Sequence, residues 1–213
     1  ATISAHLTGH DAAVNDVAYT PDGTRAVSVS DDGTLGIWDL TSGSLLQRLP
    51  GHNAKVLEVA VSPDGSFAVT AGWDHTARLW DLEALQQVHV LSGHRGNVNS
   101  VAFSPDGRLV FTGSYDGTIR AWNTDSGQLD HVIYRHGWGI NVVRPLPNGT
   151  ELLFGALDGT VGLVDIESGQ TRELATHVVP VLSAAIWPRF GLAAAGGGDG
   201  TIRVCPMAPG DGS

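Results

Sequence analysis

Apolar residues along this chain fall in short runs bounded by turn residues. Between Gly93 and Ile133 the runs are Val98–Phe103, Arg108–Gly113, Thr118–Trp122 and Gln128–Ile133. They are rich in Val, Ile, Phe and Thr and stop at turn signals, which predicts four β-strands. Pro105-Asp106-Gly107 separates the first two runs. Its Pro presets φ and its Gly supplies φ > 0, so it reads as a tight turn. Asp116-Gly117 separates the second and third and is a strong hairpin signal.

The same frame recurs through the chain. His10, His52, His94, His136 and His177 are spaced by 42, 42, 42 and 41 residues. Eleven residues after each stands Pro21, Pro63, Pro105, Pro147 or Pro188. Twenty-two residues after stands Asp32, Asp74, Asp116, Asp158 or Asp199. Twenty-eight residues after stand Trp38, Trp80, Trp122, Val164 and Cys205. Self-similarity at a fixed period is the mark of a repeat architecture. Four antiparallel strands per ~42 residues make one blade of a β-propeller, and a blade buries its faces only against neighbours. The expected fold is therefore all-β, a β-propeller of five four-stranded blades. The expected blades span roughly 8–49, 50–91, 92–133, 134–174 and 175–206.

The motifs resemble those of the WD-repeat β-propeller family. Gly-His falls at Gly9-His10, Gly51-His52 and Gly93-His94, and Trp-Asp at Trp38-Asp39 and Trp80-Asp81, with Trp122-Asn123 close to it. The resemblance covers nearly the entire chain and repeats in register. It implies a hydrogen-bonded tetrad in each regular blade: His10, Ser28, Asp32, Trp38; His52, Thr70, Asp74, Trp80; and His94, Thr112, Asp116, Trp122. Each buried polar group would then have a partner. Copies four and five carry Phe154 and Val164, then Ala195 and Cys205, at two of the tetrad positions, so these blades are expected to be the least stable.

The two ends of the chain are complementary. Residues 2–7 occupy the place of an outermost strand without a blade of their own, and the chain stops after Cys205 before an outermost strand. The expectation is that strand 2–7 completes the last blade and fastens the ring, leaving 207–213 as a flexible tail. Closure protects sheet edges. The alternative is an arc of a larger ring, since the family usually closes with seven blades. In copy five, Phe190 stands where the turn glycine belongs, and Gly191 beside it can take over with a shifted turn.

Charge and chemistry narrow the function. Lys and Arg number 12 against 22 Asp and Glu, a net charge of −10. That argues against nucleic acid or an anionic membrane surface as partner, because both need a basic face. One cysteine, Cys205, permits no internal disulfide and suits the cytoplasm, or the periplasm if a signal peptide has been removed. Cys205 reads as a small apolar filler. No membrane-spanning run is present. The five repeating histidines sit in different blades and cannot converge on one metal. Gly196-Gly197-Gly198-Asp199-Gly200 lacks the Lys and the helix of a phosphate loop and reads as a hairpin turn. Asn148-Gly149-Thr150 matches a glycosylation sequon and reads more simply as a turn. No enzymatic signature or cofactor motif appears.

By the same resemblance, partners dock on one end of the propeller. The positions lining that end carry Asn15 and Asp31, Lys55 and Trp73, Asn97, Asn99 and Tyr115, and Asn141. Trp73 and Tyr115 are not required by the repeat, and aromatics beside Asn and Lys have the make-up of interface hot spots. Trp138 extends the same patch. Copies four and five are small and apolar there, which biases a footprint toward blades two and three. The expectation is a non-enzymatic scaffold, without cofactor or metal, for a protein or peptide partner, working alone or in a larger complex. The alternatives are an accessory propeller of a larger protein, for instance a bacterial redox or signalling protein, and a propeller using its channel for a ligand or for catalysis.

Overall fold

A computed structural model describes residues 6–207. Five antiparallel sheets follow one another along the chain, each in simple up-and-down order. The first holds β1 (Val14–Tyr19), β2 (Arg25–Ser30), β3 (Thr34–Asp39) and β4 (Ser44–Pro50). The second holds β5 (Val56–Val61), β6 (Phe67–Gly72), β7 (Ala77–Asp81) and β8 (Gln86–Leu91). The third holds β9 (Val98–Phe103), β10 (Leu109–Ser114), β11 (Thr118–Asn123) and β12 (Leu129–Arg135). The fourth holds β13 (Ile140–Pro145), β14 (Glu151–Ala156), β15 (Thr160–Asp165) and β16 (Thr171–Thr176). The fifth has three strands among the described residues: β17 (Val181–Trp187), β18 (Leu192–Gly197) and β19 (Ile202–Pro206).

The turns follow the residues that make them. Gly23, Gly65, Gly107 and Gly149 close the first hairpin of blades one to four with φ between +70° and +79°. In blade five a short 3-10 turn over Pro188–Phe190 replaces this hairpin, and Gly191, at φ +62°, ends it in the left-handed region. Phe190 is thereby spared that conformation. At the second hairpin, Gly33, Gly117, Gly159 and Gly200 take φ of +78° to +93°, but blade two places His75 there at φ +67°. A side chain in that region costs about 1–2 kcal/mol. His75→Gly is accordingly expected to raise the unfolding free energy by about 1 kcal/mol, read from the urea midpoint.

The apolar core lies between blades. Val27, Leu35 and Ile37 of blade one pack with Val56, Val59 and Trp80 of blade two. Val69 and Leu79 of blade two pack with Val98, Val101 and Trp122 of blade three. Phe111 and Ile119 of blade three meet Ile140, Val143 and Phe154 of blade four. Leu153, Val161 and Leu163 of blade four meet Val181, Ala184 and Ala193 of blade five. Each interface therefore joins a forward face (β2, β3 and their equivalents) to the innermost strand of the next blade.

Ring closure is the one part of the expected fold that the described residues do not show. The innermost strands pack in succession, β1 on β5, β5 on β9, β9 on β13 and β13 on β17, with no comparable packing of β17 on β1. The expected fastening strand falls mostly on residues 1–5, outside the described residues, and His6 and Leu7 are not in a strand. Among the described residues, five blades joined by four interfaces form an arc, and the outward-facing apolar residues of its two end blades stand exposed.

Candidate functional site

Two sets of polar residues were expected to matter, and they lie in different parts of each blade. The first is the tetrad. In blade three, the Trp122 indole N–H donates to Thr112 Oγ1 at 2.9 Å. Thr112 Oγ1 lies 2.7 Å from His94 Nε2, and His94 Nδ1 lies 2.9 Å from Asp116 Oδ2. With the Thr oxygen accepting from Trp122, its hydroxyl proton points to Nε2, so the imidazole carries its own proton on Nδ1 and donates it to the carboxylate. Blade two repeats this with Trp80, Thr70, His52 and Asp74 at 2.9, 2.7 and 2.9 Å. Blade one repeats it with Trp38, Ser28, His10 and Asp32 at 2.7, 2.8 and 3.0 Å.

A further member completes each tetrad. Thr34, Thr76 and Thr118 each donate both the backbone N–H and the hydroxyl to the turn carboxylate. The signal was legible as a Thr two residues after every turn Asp, Thr160 and Thr201 included. In blades two and three an arginine, Arg78 or Arg120, also reaches the same carboxylate.

Blades four and five depart from this arrangement in different ways. His136 turns over: Nε2 meets Asp158 at 2.9 Å and Nδ1 meets the Tyr134 hydroxyl at 3.1 Å. Tyr134 also stacks against Phe154, with ring centroids 5.3 Å apart. This substitute network lies outside the repeating offsets. In blade five, His177 Nε2 contacts only the Ala195 carbonyl, at 3.2 Å, and Nδ1 stands 3.5 Å from Asp199. Cys205 fills the Trp position and is buried, and burial raises its thiol pKa.

Burial dominates the titration of His52 and His94. It lowers the pKa of His52, and that of His94 to about 4, in both cases against the pull of the paired aspartate. Burial also acts to raise Asp116, but the Thr118 hydroxyl, the Arg95 N–H and His94 outweigh it and hold the carboxyl below its ordinary range. A histidine pKa depressed from 6.5 favours the neutral ring in the fold. The stability it contributes is complete above pH 6.5 and is lost as pH falls toward and through 4. The expected loss for His94 alone is about 3 kcal/mol at full protonation. Urea midpoints at pH 7, 5.5 and 4.5 measure it, and a flat profile would contradict the neutral tautomer.

The second set surrounds the mouth of the arc. In every blade one backbone hydrogen bond ties the residue before the turn Asp to the residue three places after the His. These bonds run from Asp31 to Ala13, Trp73 to Lys55, Tyr115 to Asn97, Leu157 to Gly139 and Gly198 to Pro180. The side chains of Trp73 and Tyr115 have no part in that bond and are 37% and 44% exposed. Lys55 Nζ stands 5.9 Å from the Trp73 ring centroid and pairs with Asp31. Trp138 is more exposed still. Beneath this rim lies a cavity of about 480 Å³ lined by Asn15, Asn99, Tyr115 and Asn141 together with Asp16, Glu58 and Arg144. Asp31, Lys55, Trp73 and Asn97 stand outside that lining.

The mouth asparagines also join blades. Asn15 and Asn141 donate to the Val56 and Val181 carbonyls of the following blades, both at 2.8 Å. Asn15 donates to Asp31 as well, and Asn99 donates to Asn141 Oδ1 at 3.1 Å. Asn99 Oδ1 is buried and has no partner.

A ladder beside the asparagines was missed. Asp16, Glu58 and Ser100 each accept the N–H of the next innermost strand, from Val59, Val101 and Val143, at 3.0, 2.8 and 3.0 Å. Arg144 crosses the channel to Glu58 at 2.6 Å. The available signal was a polar residue six places after the His in copies one, two, three and five, with Val142 in its place in copy four. Among the described residues no three His, Cys, Asp or Glu side chains gather as a metal site, and no helix is long and apolar enough to cross a membrane.

Comparison with known proteins agrees with this architecture. The family model described as WD domain, G-beta repeat matches residues 2–39, 43–81 and 85–123, more than half of the chain. Periodic tryptophan protein 2 of Saccharomyces cerevisiae is 50% identical over 38 residues, 18% of this chain and 4% of that protein. Small ribosomal subunit protein RACK1y of Oryza sativa subsp. japonica is 49% identical over 43 residues, 20% of this chain and 13% of that protein. The matched stretches thus span a small part of either relative.

Proposed function

The chain belongs to the WD domain, G-beta repeat family, and from that premise we propose that it is a non-enzymatic scaffold holding a protein or peptide partner at the mouth of its arc. One observation carries this reading. Trp73 and Tyr115 stand exposed at positions where the fold uses only their backbone N–H. An exposed aromatic without a structural duty costs solubility, and aromatics of this kind supply most of the affinity at interfaces. Lys55 beside Trp73 adds a cation to the rim.

The cavity adds a polar anchor. It is lined by charged and amide side chains, Asp16, Glu58 and Arg144 beside Asn15, Asn99 and Asn141. Asn15, Asp31, Asn97 and Asn141 frame the same opening, and blades two and three carry the aromatic part of the footprint. The neighbouring blades are already held in place, so little ordering entropy is lost on binding. One relative is by name a protein of the small ribosomal subunit, which supports work inside a larger complex. The acidic net charge supports a protein rather than a nucleic-acid partner.

The test is affinity capture from the source extract with the native chain and the Trp73→Ala, Tyr115→Ala variant. Both side chains are exposed, so the unfolding midpoint is expected to stay within about 0.5 kcal/mol of native. The partner retained by the native chain is expected to be lost, with affinity reduced on the order of tenfold or more. Equal retention by both would remove the mouth as the working face.

A further inference from the structure

The outer rim of the arc carries a second set of histidines. They stand 37 residues after the repeating His, as His89 in blade two and His131 in blade three. Blades one and four have Gln47 and Glu173 in that place. Both rings are half-buried on outermost strands, β8 and β12. His89 Nε2 donates to the Asp125 carbonyl of blade three at 2.9 Å. His131 Nε2 donates to the Ile166 carbonyl of blade four, also at 2.9 Å. Each ring thus crosses a seam and meets the last hairpin turn of the next blade. The turns lie close. A Cβ at Gly127 would stand 2.5 Å from the His89 ring, and one at Gly169 would stand 2.6 Å from the Ile133 carbonyl.

The two seams differ in charge. The Asp130 carboxylate lies 2.7 Å from His131 Nδ1, whereas the residue in the same place beside His89 is Val88. A neutral imidazole has one N–H and one lone pair. Between a carbonyl and a carboxylate it satisfies one acceptor and turns its lone pair on the other. The imidazolium, with two N–H groups, satisfies both. Burial acts to lower the pKa of His131, but the Ile166 carbonyl and Asp130 outweigh it and raise the pKa above its ordinary value. The other charged groups on the elements packed there have their own partners or stand apart. Arg120 of β11 pairs with Asp116, and Asp165 of β15 accepts from Ser168. Glu167 of the blade-four turn is exposed, and Arg135 stands at the far end of β12.

The Ile166 side chain belongs to the apolar core between these two blades, with Phe111, Ile119 and Ile133. A bond to its carbonyl therefore holds the outer margin of that core.

We infer that His131 is a proton-operated latch between blades three and four, closed as the imidazolium and loosened when the ring gives up its proton. A hydrogen bond from a charged donor is roughly twice as strong as one from a neutral donor. Loss of the proton weakens the bond to Ile166 and releases Asp130 to solvent. With the folded-state pKa raised above 6.5, the contribution is complete below pH 6.5 and fades as pH rises through the folded value. His94, in the same blade, acts in the opposite sense. The latch lies on the outer rim and stands independently of the partner at the mouth.

Ring-proton NMR follows the titration of His131, and amide exchange follows the seam. The His131 midpoint is expected above 6.5 in the native chain and lower in Asp130→Asn. The Asp165 and Gly169 N–H groups close the blade-four turn onto the Gln170 and Asp165 carbonyls. Their protection, corrected for the intrinsic rate at each pH, is expected to drop on the order of threefold or more between pH 6 and pH 8. His131→Gln keeps a donor that cannot charge, and its protection is expected to be equal at the two pH values. His94 is common to both chains, so the comparison is free of its titration. A His131 midpoint at or below 6.5, equal native protection at both pH values, or an equal drop in His131→Gln would each overturn the inference.

Discussion

Asp116→Ala is expected to lower the unfolding free energy by about 3–5 kcal/mol, the scale seen when one partner of a buried charged pair is removed. Asp116 accepts from His94 Nδ1, the Arg95 N–H, and the N–H and hydroxyl of Thr118, and it pairs with Arg120. His94 has no exposed side-chain surface, and Arg120 is nearly as enclosed. Removing the carboxylate leaves a cation and several donors without partners in a low-dielectric site. Domains are commonly stable by only about 5–15 kcal/mol, so the loss is a large fraction of the whole. Asp199→Ala provides the internal comparison. Asp199 sits in an exposed turn, its main partner is Thr201, and His177 stands 3.5 Å away. Its removal is expected to cost far less. Urea unfolding followed by tryptophan fluorescence measures both, and equal costs would contradict the network reading.

The second large effect concerns the core between blades. Ile37→Ala is expected to cost about 2–5 kcal/mol, since Ile37 is fully buried against blade two. Val204→Ala, at the equivalent place in blade five, is expected to change stability by less than about 0.5 kcal/mol. The two residues share one repeat position and differ in whether a blade lies across from them. Comparable losses would mean that Val204 is covered, as it would be in a closed ring.

Much of this organisation was legible because the repeat restricts residue type at particular places. Gly23, Gly65, Gly107 and Gly149 were readable as turns because their backbone conformation tolerates few other residues. The tetrads were readable because His, Ser or Thr, Asp and Trp must keep fixed offsets to meet one another. The shifted turn at Gly191 was readable for the same reason.

What could not be read has a physical cause in each case. Ile202 and Val204 carry the same apolar chemistry as Ile119 and Leu163, so the sequence does not reveal that their face is open. Tyr134 replaces the missing hydroxyl of blade four from a neighbouring strand, outside any repeating offset. The ladder of Asp16, Glu58 and Ser100 was obscured because three residue types serve as one acceptor. Asn15 and Asn141 line the cavity, and their amides also bind the next blade. Substituting them would weaken the scaffold itself, so Trp73 and Tyr115 are the cleaner probes of the mouth.

The most direct measurement is a hydrogen-exchange footprint of the chain with its captured partner bound. Slowed exchange is expected at the mouth turns, centred on Trp73 and Tyr115 and reaching Asn97 and Asn99, with the Pro-Asp-Gly turns unchanged. Protection confined to the Pro-Asp-Gly end, around Asp64 and Asp106, would contradict the assignment of the working face.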